Sequence, residues 1–114
     1  MTQLKVFSLE GCYFSQSAEE LLKNNNIDYS LKKVTQNEKQ AIKDINKMDT
    51  FPQVFLETSN KDIKVGGFTE LKNLNELVNK KDNFDNIYDE VSNKVEFNNN
   101  KKNILKLINI LRKE

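Results

Sequence analysis

The 114-residue chain has one cysteine, one proline and three glycines, and neither histidine nor tryptophan. A lone thiol cannot close an internal disulfide, and one cysteine without imidazole excludes the usual all-protein zinc and haem sites. An excess of one charge is also missing. The 18 basic side chains against 17 acidic ones leave a formal net charge of +1, too small a field to gather nucleic acid or an anionic membrane. Nowhere are about 18 apolar residues consecutive, and the start "MTQLKVFSLEGC" lacks the basic region and long apolar core of a signal peptide. These absences predict a cytoplasmic protein in a reducing compartment, with no nucleic-acid and no membrane partner. Hydrophobic residues make up 37% of the chain, enough for one domain with a modest core and an appendage.

Hydrophobic periodicity orders the elements. "LKVFSL" (4–9) reads as a buried strand ended by Glu10-Gly11. Phe14, Ala18, Leu21 and Leu22 then fall on one face of a helix that runs from about Tyr13 to the "NNN" at 24–26. "IDYSLKKV" (27–34) alternates as a second strand. Thr35 followed by Glu38 has the form of a capping box, ahead of a helix with Ala41, Ile42, Ile45 and Met48 as its apolar stripe. "QVFLE" (53–57) is a third strand, "TSNKD" (58–62) a turn, and "IKV" (63–65) a fourth strand. Gly66-Gly67 open a helix with Leu71, Leu74, Leu77 and Val78 inward. With right-handed crossovers in the first two units, this order predicts an α/β fold with a four-stranded mixed sheet between helices.

The last third differs in pattern. Phe84, Ile87, Tyr88 and Val91 recur at helical spacing, "EFNNNKKN" (96–103) interrupts, and "ILKLINIL" (104–111) reads as a short, very apolar helix. The first helix region is acidic (Asp82, Asp85, Asp89, Glu90 and Glu96 against Lys94) and the second basic (Lys101, Lys102, Lys106, Arg112 and Lys113 against Glu114). Attraction between the two follows from that contrast. Residues 1–81 are therefore taken as the main domain, and 82–114 as a helical extension that packs on it or docks a partner or second copy through 84–111.

Three stretches carry chemistry. Cys12, between a strand and a helix, sits where free N–H groups and the helix dipole favour an anion, as a thiolate nucleophile requires. Taken alone, an intracellular cysteine is more often a small buried hydrophobe; its position and neighbours favour the nucleophile here. In Thr50-Phe51-Pro52, a cis proline would leave the Phe51 backbone open to an extended ligand, although a proline that merely opens a strand fits as well. In Gly66-Gly67-Phe68-Thr69-Glu70, the N–H groups of Thr69 and Glu70 suit a carboxylate, or the glycines form a plain strand-to-helix turn.

In this order and spacing, "CYFS" (12–15), "TFP" (50–52) and "GGFTE" (66–70) resemble the glutaredoxin family of the thioredoxin-like fold over about residues 3–80. That family carries a CPYC or CGFS-type site after its first strand, a TVP segment with cis proline before its third, and a Gly-Gly turn with a polar pair at its last helix. The resemblance implies Cys12 as catalytic nucleophile and a glutathione site made by Tyr13, Phe14, Lys39, Thr50, Phe51, Pro52, Gly67, Thr69 and Glu70. Phe14 would line the tripeptide and the Phe51 main chain would pair with its cysteinyl unit. Thr69 and Glu70 would hold its γ-glutamyl end. Lys39 would meet its glycine carboxylate, with Gln36 and Lys43 as alternates. For Tyr13 itself, ordinary packing is the expectation from the residues.

Departures from the pattern shape the mechanism. Ser15 stands where dithiol members have a second cysteine, so the resemblance implies a monothiol cycle on glutathionylated protein substrates. Leu9, with Glu10 beside it, replaces the family's lysine three residues before the nucleophile. The resemblance implies a glutathione-dependent thiol–disulfide oxidoreductase, with glutathione as cosubstrate. Its alternatives are a carrier of a glutathione-ligated [2Fe–2S] cluster held by Cys12, and a redox-inactive adaptor that docks through its C-terminal helices. Against the cluster carrier stand Tyr13, where that class has glycine, and the absence of its lysine-containing insertion.

Overall fold

Leu4, Val6 and Ser8 alternate with Lys5, Phe7 and Leu9 along the first strand, so its two faces bury different partners. The computed structural model describes residues 2–80, 83–94 and 101–112. They form β1 (Gln3–Leu9), α1 (Tyr13–Asn24), β2 (Tyr29–Val34), α2 (Lys39–Asn46), β3 (Gln53–Glu57), β4 (Asp62–Gly66), α3 (Phe68–Val78), α4 (Phe84–Lys94) and α5 (Lys101–Arg112). The sheet order is β2-β1-β3-β4. β2 pairs parallel to β1 from Leu4–Tyr29 to Leu9–Val34, whereas β3 is antiparallel to β1 and β4 to β3. The mixed four-stranded sheet flanked by helices is thus the expected thioredoxin-like one. A parallel crossover occurs only in the first unit, because α2 returns the chain to the far side of β1 in the opposite direction.

The even positions of β1 enter the main core. Leu4 and Val6 pack with Val54 and Leu56 of β3, Ile63 and Val65 of β4, and Ala18 and Leu22 of α1. Leu71, Leu74, Leu77 and Val78 of α3 complete it, all four inward as their spacing predicts. The buried face of α1 is rotated from expectation. Ser15, Ala18, Glu19 and Leu22 are buried, Leu21 is half-buried, and Phe14 is 54% exposed. A carboxylate on an inward face must be paired. Ser8 Oγ donates to Glu19 Oε2 at 2.6 Å, and Lys33 Nζ lies 3.9 Å from the same oxygen. Burial, and then Glu19, push the nearby Tyr29 phenol above its ordinary range.

The other face of β1 meets a smaller cluster of Leu9, Val34 and Phe51, against which Phe7, Cys12 and Ile42 pack. α2 covers this end. The capping box is present: Glu38 Oε1 accepts the Thr35 N–H at 3.0 Å, and the Glu38 N–H donates to Thr35 Oγ1 at 3.3 Å. These bonds to Thr35, the backbone one first, hold the Glu38 carboxyl below its ordinary range. Residues 36–38 form a turn, however, and the helix starts only at Lys39. Of the expected stripe, Ile42 alone joins a cluster; Ala41 is exposed, Ile45 is 73% exposed, and Met48 lies past the helix end. Two turns resting on the end of a sheet have cover for only one residue of their face. The Gln53 side chain holds the far end: Asn46 Nδ2 donates to Gln53 Oε1 at 2.8 Å, and Gln53 Nε2 to the Met48 carbonyl at 3.2 Å.

Ile104, Leu107, Ile108 and Leu111 of α5 enter the main core together with Ile87 and Val91 of α4. The apolar face that the sequence left without a partner is buried within the chain. Lys101, Lys102 and Asn103, read above as part of an interruption, already belong to α5. Glu96 and the "EFNNN" run, the boundary residues Lys81 and Asp82, and Lys113 and Glu114 lie outside the described residues, as does the Lys94 side chain.

Candidate functional site

Three segments far apart in sequence meet at the end of the sheet where β1 stops. Gly11, at φ +72°, turns the chain after β1, and Cys12 follows in extended conformation as the residue that caps α1. Its carbonyl accepts the first helical hydrogen bond, from the Gln16 N–H at 3.1 Å, so the thiol is carried at the helix N-terminus as its sequence position predicts. Cys12 is half-buried.

Two clamps fix this turn. The Cys12 N–H donates to the Leu9 carbonyl at 3.2 Å, while the Leu9 N–H donates to the fully buried Ser15 Oγ at 3.1 Å. On the other side, the Glu10 N–H donates to the Val34 carbonyl at 2.9 Å. Gln36 reaches Glu10 twice, its N–H to Oε1 at 3.0 Å and its Nε2 to the carbonyl at 2.9 Å. Glu10 is therefore a fastening of the turn, and Gln36, one alternate to Lys39, has its side-chain amide engaged there.

The Cys12 thiol lies 3.8 Å from the Phe51 carbonyl, a long and weak S–H contact, and the Phe51–Pro52 bond is cis. Gly67 adjoins the same segment: a methyl group placed on it would be 3.6 Å from the Pro52 carbonyl oxygen and 3.3 Å from Glu70 Oε1. Gly66, at φ +136°, is more constrained still, since a methyl group there would come within 2.7 Å of Glu70 Cβ. The ring of Phe14 closes the triangle, 6.1 Å from that of Phe68. Each of the three segments therefore touches the other two.

At the start of α3, Glu70 Oε1 accepts the Gly67 N–H at 2.6 Å, so part of this carboxylate already caps the helix. Thr69 lies exposed in the same first turn. Lys39 is half-buried at the first position of α2, three residues before Ile42, which packs on the same small cluster as Cys12. That spacing puts Lys39 on the site-facing side of the helix. Lys43 is half-buried on the same helix, and Thr50 is exposed. Tyr13 does not pack inward. The residue is 74% exposed, and its ring meets the edge of Phe14, at 5.5 Å and 74°. At the first position of α1, its side chain projects before the helix has reached the core. Phe68 received no role from the sequence, and its signal was its place between Gly67 and Thr69.

Chemically, the arrangement offers one thiol at a helix N-terminus, the main chain of Phe51 beside a cis proline, and a second helix N-terminus at α3. Among the described residues, no group of three or more His, Cys, Asp or Glu is placed to hold a metal ion, and no helix is long and apolar enough to cross a membrane.

Residues 4–59 match the glutaredoxin family model. That span includes Cys12 and Pro52 and ends before the Gly66-Gly67 turn. Among solved structures, glutaredoxin 1 from Francisella tularensis, crystallised with cacodylate, is similar with a TM-score of 0.55 at 26% identity, over 70% of this chain and 100% of that one. Buckwheat glutaredoxin in complex with glutathione gives a TM-score of 0.47 at 17% identity, over 66% and 69% of the two chains. No curated protein matches.

Proposed function

With a glutaredoxin-family domain of thiol oxidoreductase type as its premise, we propose that this chain is a glutathione-dependent thiol–disulfide oxidoreductase working by a monothiol cycle. The observation that carries the reading is the meeting of Cys12, at the N-terminus of α1, with the main chain of Phe51 beside the cis proline. The Cys12 thiolate attacks the glutathione sulfur of a protein–glutathione mixed disulfide. The protein sulfur leaves with the bonding electron pair and takes up a proton, and Cys12 now carries the glutathione. A second glutathione, as thiolate, attacks the sulfur of that glutathione unit, releasing oxidised glutathione and restoring the Cys12 thiolate.

The tripeptide lies between Phe51 and the start of α3. Its cysteinyl unit pairs with the Phe51 main chain beside Thr50 and Pro52, and Phe14 flanks it. Gly67, Thr69 and Glu70 receive the γ-glutamyl end, the second Glu70 oxygen facing the amine while the first caps the helix. Lys39 faces the glycine carboxylate. The test is the rate of glutathione-coupled reduction of the mixed disulfide of glutathione and 2-mercaptoethanol, for the wild type and Cys12→Ser. Turnover in the wild type, with none in the variant, is expected. Full turnover in Cys12→Ser removes the proposal, and a folded wild type without turnover leaves the adaptor reading in its place.

A further inference from the structure

A mixed disulfide has two halves, and the site proposed above accounts for only one of them. Beside the thiol, the most solvent-exposed large apolar side chains are aromatic: Tyr13 at 74% and Phe14 at 54%, in edge contact with each other, with Phe14 against Phe68 in turn. Among the described residues, the Tyr13 side chain joins neither core cluster and its phenol makes no hydrogen bond, so the fold does not require its ring. We infer that Tyr13 is a specificity-determining contact for the polypeptide half of the mixed disulfide, binding an aromatic or branched aliphatic side chain that flanks the glutathionylated cysteine. This inference rests on the oxidoreductase reading.

Geometry selects this occupant. Tyr13 is the immediate neighbour of the nucleophile, with adjacent Cα atoms about 3.8 Å apart. On this inference, a polypeptide whose sulfur lies at Cys12 passes close to the exposed Tyr13 side chain. At about 3.3 Å per residue, an extended segment brings the residues one and two positions from its cysteine over that shelf. The ring presents a flat apolar face with a polar tip, which suits an apolar side chain leaving water while the segment's backbone stays solvated. Phe14 meets the ring at its edge and itself rests against Phe68, and Tyr13 stays 74% exposed.

The test compares three substrates that share their glutathione half: a glutathionylated peptide with Leu or Phe beside the cysteine, the same peptide with Ser there, and the mixed disulfide with 2-mercaptoethanol. The wild type should favour the apolar peptide over the Ser peptide by about tenfold in kcat/KM, the effect of covering roughly half of one aromatic ring. Tyr13→Ala should reduce that preference to about twofold or less, and Tyr13→Phe should retain it. A contact of Tyr13 with glutathione cancels in the comparison, because it lowers all three substrates alike. An equal loss on all three, or a wild type that does not discriminate between the peptides, overturns the inference. Absence of turnover on the 2-mercaptoethanol substrate itself removes the oxidoreductase reading and this inference with it.

Discussion

Ser15 stands where a second thiol would stand in a dithiol site, and the structure gives it another task. Its Oγ, fully buried, accepts the N–H of Leu9, whose carbonyl in turn holds the N–H of Cys12. Ser15→Ala removes the acceptor and leaves a buried N–H unpaired, at a cost of about 1–3 kcal/mol. For a chain of this length, 1 kcal/mol moves Tm by about 4 °C, so a fall of roughly 4–12 °C is expected. Urea denaturation should show a lower midpoint with an unchanged m-value, since the surface exposed on unfolding is the same. Ser15→Cys keeps only a weak sulfur acceptor and adds volume at a fully buried position, so it too should destabilise the chain while allowing an internal disulfide with Cys12. A loss below about 0.5 kcal/mol in Ser15→Ala would show that the Leu9 N–H is satisfied without the serine, and the clamp would then be no part of the turn's stability.

Other outcomes are equally specific. Lys39→Glu should raise the KM for glutathione by about 1.5- to 5-fold, the worth of a partly exposed ion pair, and no change would shift the role to Lys43. Leu107→Ala, fully buried where α5 meets the main core, should cost about 2–5 kcal/mol in urea denaturation; a cost under about 1 kcal/mol would mean that α5 is not part of the cooperative unit. The Glu57 carboxyl is held below its ordinary range by the Gln3 amide and then by Lys5, whose ammonium lies 3.0 Å from Glu57 and 2.9 Å from Asp62. A lowered folded-state pKa stabilises above the unfolded value of about 4.3 and is lost as pH falls through the folded one. Urea midpoints should therefore drop in acid below that value, and Glu57→Gln should flatten this limb; an identical limb in the variant refutes the assignment. Lys5 is raised, chiefly by its bond to Asp62, so its contribution holds below about pH 10.4 and is lost above it.

Much of the architecture could be read from local pattern. Leu71, Leu74, Leu77 and Val78 recur at the helical period, and all four are buried. The third strand runs over the same five residues, Gln53–Glu57, that its apolar run predicts. The three site segments were likewise visible as "CYFS", "TFP" and "GGFTE", because tight turns, a cis proline and a helix start each need particular residue types. Side-chain direction was not readable in this way. Phe14 and Ile45 satisfy a helical period, yet both are exposed, because a period states which residues share a face and not whether another element covers it. The roles of Ser15, Glu10 and Gln36 were equally hidden, since each is set by a hydrogen bond to a backbone group brought near by the sheet. Periodicity and turn chemistry act between neighbours along the chain, so one sequence suffices to reveal them. Cover, clamp and site are made by segments that only folding brings together, and these were decided in three dimensions.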